Sequence, residues 1–173
     1  MPARVLVYCK KSVADVTAAM LVEELRLADL MTLAEILDLP GGETAAVREM
    51  WTHFRIEPAD GRLDSLVEIH WHESQRPIQI RCEPTVDGEI DETLENLPRS
   101  DRPGAARVRA HLAATREIVE LQMGVDGSLH LAATISEVLA FYLAERGDGI
   151  VWFYHRDFAS PDDRATTLWQ TGK

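Results

Sequence analysis

Cysteine is nearly absent: two residues, Cys9 and Cys82, in a chain of 173. That excludes the disulfide framework of a small secreted scaffold, and no Cys-x-x-Cys redox pair is present. Basic charge is also short, with 18 Lys and Arg against 29 Asp and Glu and a net charge of -11. Phosphates are repelled by such a surface, so nucleic acid is not an expected partner. Long apolar runs are missing. The longest aromatic and β-branched run, Ile150 to Tyr154, is far too short to span a bilayer, so no membrane association is expected. The opening MPARVLVYCKKS has only a brief apolar run before two lysines, which gives no signal peptide and makes the cytoplasm the expected compartment. Two isolated cysteines in strand-like surroundings then read as buried, reduced thiols.

Catalytic signatures are missing as well. Gly124-Val125-Asp126-Gly127-Ser128 precedes a helix but lacks the lysine and spacing of a P-loop and the dinucleotide fingerprint. Ser136 sits in a helical stretch without the Gly-x-Ser-x-Gly elbow. Asp87-Gly88-Glu89-Ile90-Asp91 does not follow the ligand order of a calcium loop. Cys9, before Lys10 and Lys11, has the neighbours that activate a thiol, but a buried structural cysteine is the expected state. The chain has no internal repeat and no low-complexity tract. An enzyme is therefore not the expected class, and neither a cofactor nor a metal is expected.

What is present specifies an α+β fold. A hydrophobic content of 46% with 27% charged residues suits one globular domain, placed at residues 1–157 and followed by a polar tail at 158–173. The organising stretch is Arg116 to Asp157. It reads as a strand, a helix with Leu131, Ile135, Val138, Leu139, Tyr142 and Leu143 on one face, and a strand built on IVWFY. Short connections around a helix imply a right-handed crossover and a parallel strand pair. Gly147 stands where a left-handed helix cap usually falls, and Ser128 precedes the helix as a cap. Upstream, Arg4 to Lys10 reads as a buried strand. A helix over 13–27 follows, capped by Ser12 with Asp15, then helical segments near 29–37 and 44–49. The period then changes to two. Strands at 51–57, 66–73 and 77–83, separated by Pro58-Ala59-Asp60-Gly61 and Ser74-Gln75-Arg76-Pro77, predict an antiparallel meander. The expected whole is a mixed sheet with helices mainly on one face. A short helix is expected after Glu83, and another at 105–114 with Arg107 and Arg109 exposed.

Chemistry concentrates on the polar side of the meander. Alternation turns Val67, Ile69 and Trp71 one way and Glu68, His70 and His72 the other. His53, Arg55 and Glu57 match them on one neighbour, and Gln79, Arg81 and Glu83 on the other. A metal or acid-base site built on His70, His72, Glu68 and His53 is one reading. A solvated face with a cross-strand pair such as Glu68 with Arg81 is the simpler one. The run from Glu83 to Glu95 carries Asp87, Glu89, Asp91 and Glu92 without a basic residue. The expected function is a non-enzymatic protein-binding module. Its partner is a basic protein, as for a bacterial-type cytosolic immunity or inhibitor protein or an acidic chaperone. The contact residues are Glu68, His70, His72, Arg81, Asp87, Glu89, Asp91 and Glu92. A metal-dependent enzyme or metal-binding protein on the His/Glu face, and a subunit of a homo-oligomer, are the alternatives.

Overall fold

The computed structural model describes residues 3–30, 43–124 and 129–171. The first half runs β1 (Ala3–Cys9), α1 (Ala18–Leu27), α2 (Glu43–His53), β2 (Arg55–Glu57), β3 (Val67–His70) and β4 (Ile78–Pro84). The second half runs α3 (Glu89–Asn96), α4 (Pro103–Ala113), β5 (Glu117–Met123), α5 (Leu129–Arg146), β6 (Gly149–Phe153), β7 (Asp157–Ser160) and β8 (Asp163–Gln170). All eight described strands join one sheet in the order β2-β3-β4-β5-β1-β6-β7-β8, and every neighbouring pair is antiparallel. The α+β class, the meander and the strand-helix-strand unit are as expected.

The strand neighbours within that unit are not. β5 and β6 run in the same direction but never touch, because β1 lies between them, antiparallel to both: Val7 stands opposite Val119 on one side and Val151 on the other. No parallel pair forms among the described strands. The crossover through α5 spans a three-strand segment, and its central strand comes from the far end of the sequence.

The sheet has two apolar layers. On one face Val5, Val7, Ile69, Ile78, Ile80, Val119, Leu121 and Val151 pack under α1, α2 and α5. On the other, Tyr8, Ile150, Phe158 and Trp169 pack under α3 and α4. The one-sided arrangement thus holds for three of the five described helices, and the α3–α4 pair backs the second face. This explains the IVWFY run: Val151 faces one layer and Ile150 the other, so both sides of β6 are covered. The same pairing corrects the polar tail expected at 158–173. Phe158 and Trp169 are buried, stand opposite each other, and hold β7 and β8 as a hairpin at the sheet's end. The strand signal was Phe158 and Trp169, two large aromatics in a stretch otherwise rich in polar residues.

Local signals resolve differently at three places. The stretch 51–57, read as one strand, is helical through His53, and only Arg55–Glu57 is extended. Val47, Met50, Trp51 and Phe54 follow helical spacing and pack against the core, which carries α2 across the expected boundary. Ser12 does not cap a helix. Its Oγ donates to Glu117 Oε1 at 2.9 Å, and the Val13 amide donates to Glu117 Oε2 at 2.6 Å, so this buried carboxylate ties the loop after β1 to β5. The first helix begins later, where Thr17 Oγ1 accepts from the Met20 amide. At the end of α5 the left-handed residue is Asp148 (φ 47°), a type that tolerates this conformation. Gly147 is small for another reason: a Cβ there would lie 2.5 Å from Cys9 Sγ. Most of the helical segment expected near 29–37, and Ser128 with its turn, lie outside the described residues.

Arg109, expected on the exposed side of its helix, is an internal clasp. Its guanidinium donates to the carbonyls of Leu94, Leu97 and Pro98, each at 3.0 Å, and lies 6.0 Å from the Trp169 ring. It satisfies carbonyls at the end of α3 while holding that helix to α4. A lysine offers one ammonium in place of a planar fork and does not reproduce the three bonds. Arg109→Lys is expected to lower stability by about 1–2 kcal/mol and to speed hydrogen exchange in α3 more than in β1. Uniform exchange across both elements would contradict the clasp.

Candidate functional site

The second face of the sheet is divided. Where α3 and α4 cover it, it is apolar: Leu6, Tyr8, Ile118, Ile150, Trp152, Phe158 and Trp169. Strand register extends the same face across β5, β4, β3 and β2, and there its residues are Glu120, Gln122, Gln79, Arg81, Glu68, His70, Glu57 and Arg55. All of these are exposed or half-buried. The alternation behind this is simple: the partners of these residues within each strand, such as Ile56, Val67, Ile69, Ile78 and Ile80, fill the opposite layer.

Three side chains converge on this polar half. Register places Glu57 opposite Glu68 and Arg55 opposite His70. His70 Nε2 lies 3.6 Å from Glu57 Oε2 and 3.9 Å from Glu68 Oε2. These distances are too long for hydrogen bonds, and Nε2 is buried without a hydrogen-bond partner among the described residues. Gln79 Nε2 donates to Glu68 Oε1 at 2.8 Å and fixes that carboxylate from the β4 side. Arg55 Nε donates to Glu57 Oε1 at 2.9 Å, and an Arg55 terminal nitrogen lies 3.4 Å from His70 Nδ1. The Arg55 hydrogen bond holds the Glu57 carboxyl below the usual carboxylate range, so Glu57 is charged at neutral pH. A guanidinium only donates, so Nδ1 is the acceptor there, and a neutral ring carries its proton on Nε2. Among the described residues, Glu57, Glu68 and His70 are the one group whose donor atoms are close enough to share a metal ion.

The structure gathers some of the expected residues and scatters others. Glu68, His70 and Arg81 do share the polar face, but Glu68 bonds Gln79 rather than Arg81, and Arg81 stands opposite Glu120. Glu120 in turn pairs with Arg4 at 3.0 Å. His72 lies beyond the end of β3. Its Nδ1 accepts from the Ser74 amide at 3.2 Å, its Nε2 lies 3.9 Å from Glu49 of α2, and its ring centroid is 6.4 Å from that of His53. His53 and His72 therefore neighbour each other and stand apart from the Glu57–Glu68–His70 group. Asp87, Glu89, Asp91 and Glu92 form the approach and first turn of α3, where acidic residues oppose the helix dipole favourably. Asp87, Asp91 and Glu92 are exposed, while Glu89 Oε2 accepts from the Val86 amide at 3.1 Å. Arg55, Glu57 and Gln79 belong to this site without having been among its expected residues. Their place in the alternating polar sets was the available signal, and strand register supplied the rest.

Comparison with family models, with curated proteins and with solved structures finds no match. No described helix is long and apolar enough to cross a membrane.

Two other features carry less. A cleft of about 850 Å³ opens between the ends of α4 and α5 and strands β6 to β8. Its charged lining is balanced, Lys10, Lys11 and Arg107 against Glu145, Asp148 and Asp162. His111 at its wall is 3.0 Å from the Tyr8 carbonyl, and burial pushes its pKa down. Its neutral Nε2–H therefore donates to that carbonyl. Cys9 is buried, and desolvation, with the Glu117 charge adding to it, pushes its thiol up to about 12. The neighbours Lys10 and Lys11 do not activate it, so a structural thiol is the outcome.

Proposed function

We propose that this protein is a non-catalytic binding module whose partner is a protein with a basic surface. The observation that carries this is the divided sheet face, apolar where α3 and α4 cover it and charged where nothing in the described chain does. The acidic first turn of α3 borders the same face, and the net charge of -11 raises the encounter rate with a cationic partner. An inhibitor or immunity protein masking a basic enzyme works through such a surface, as does a chaperone holding a basic client.

The test compares the wild type with a charge-reversed variant, Asp87→Lys, Asp91→Lys and Glu92→Lys together, as baits for a native lysate at low and moderate salt. The expected result is one stoichiometric basic partner that weakens with salt and is lost from the variant. Rim charges act mainly on association rate and salt dependence, so a purified partner should show a slower on-rate with the variant. Equal retention by both baits, or a wild-type bait with no partner, overturns the reading.

A further inference from the structure

We infer that Glu57, Glu68 and His70 form a binding site for a divalent first-row transition-metal ion. This site does not depend on the proposed protein partner. Three neighbouring strand positions bring two carboxylate oxygens and one imidazole nitrogen together, with Nε2 at 3.6 and 3.9 Å from the two oxygens. Ligand bonds of about 2.0–2.2 Å in a tetrahedral shell place donor atoms roughly 3.3–3.6 Å apart. The two nitrogen–oxygen edges need only a few tenths of an ångström of closure to reach that spacing, and all three donor atoms lie within 4.8 Å of one another.

Two further observations support an ion. His70 Nε2 is buried and makes no hydrogen bond among the described residues, although two carboxylates flank it. A buried polar atom without a partner is unusual in a folded protein. Glu68 is also oriented from behind, through the Gln79 amide on its other oxygen. This outer support leaves Oε2 directed at the shared point, as partners beyond the ligands do in metal sites. One nitrogen with two carboxylate oxygens is a donor set for zinc or manganese. Calcium and magnesium prefer oxygen alone, and cuprous ions prefer sulfur. Three ligands on an open face leave coordination positions for water or for an exchangeable group.

Arg55 opposes the ion. Its guanidinium holds Nδ1 as an acceptor, which keeps the ring proton on Nε2, the atom the metal needs. On uptake the proton leaves Nε2 and a proton is bound at Nδ1, so the ring stays neutral. Arg55, exposed in solvent, turns away from Nδ1. The site therefore includes a competing cation as well as ligands.

The experiment titrates the metal-free full chain with zinc chloride, and separately with manganese chloride, by calorimetry, with circular dichroism as the folding control. One ion per chain is expected. His70→Ala is expected to weaken binding about 100-fold or more, and Glu68→Gln about 10-fold or more. Arg55→Gln should tighten it several-fold, an effect that damage to the fold would not produce. Nitrogen-15 spectra of the wild-type histidine rings provide a readout that needs no variant: metal should shift the His70 Nε2 resonance and place the proton on Nδ1. No binding by the wild type, unchanged affinity in His70→Ala, or an unmoved His70 resonance on metal addition would overturn the assignment.

Discussion

Phe158→Ala is expected to lower the stability of the fold by about 3–5 kcal/mol, a large part of the 5–15 kcal/mol that ordinarily holds a domain together. Phe158 is fully buried and lies nearly parallel to two indoles, Trp152 at 5.0 Å and Trp169 at 6.0 Å, with Tyr8 at 6.4 Å. The strand that carries it has four residues, and its pairing with β8 is irregular on both sides of Ala159. Ladder hydrogen bonds alone do not secure so short an element, so the aromatic stack holds the hairpin to the sheet. Truncation leaves a cavity between rings that are themselves fixed on neighbouring strands, and collapse is limited. Urea unfolding followed by both tryptophan fluorescence and far-ultraviolet circular dichroism measures the loss. A change below about 1 kcal/mol would show that the stack is replaceable.

The second large effect reverses a general preference. Alanine is favoured over glycine inside a helix by about 1 kcal/mol, yet Gly104→Ala is expected to destabilise this protein by about 1–3 kcal/mol or more. Gly104 is the second residue of α4, and a Cβ there would penetrate the Leu168 carbonyl oxygen and lie 2.9 Å from its carbon. The obstacle is backbone, so no rotamer change relieves it. Either α4 lifts from β8 or the strand bends, and the Arg109 contact with Trp169 loosens with it. Thermal and urea unfolding of the purified variant check the sign. A variant as stable as the wild type would mean that α4 does not sit this close to the hairpin.

Much of the fold was legible in local periodicity. The apolar stripe of α5, the doubly covered β6 and the alternation of β3 and β4 all survive because each is a short-range pattern with one compatible geometry. Two things were not legible. The insertion of β1 between β5 and β6 depends on contacts between distant parts of the chain, and no local spacing encodes it. The helical end of α2 was hidden because His53 to Glu57 alternates in polarity like a strand, and tertiary burial of Met50 decided between the two periods. The site divides the same way. Alternation within β3 identified Glu68 and His70, but it could not show that His72 falls past the strand's end, nor that β2 pairing delivers Glu57 and leaves His53 behind in a helix.

The central position of β1 also bears on the order of assembly. During synthesis Ala3–Cys9 emerges long before Glu117–Met123 and far before Gly149–Phe153, the segments that occupy its two sides. Val5, Val7 and Cys9 therefore stay unpaired and apolar until those segments emerge. The high sequence separation of these pairings makes closure of the sheet slow in comparison with its local hairpins. A ribosome-bound chain that ends after β5 would leave one rim of β1 open, the form of this protein most exposed to pairing with another nascent chain.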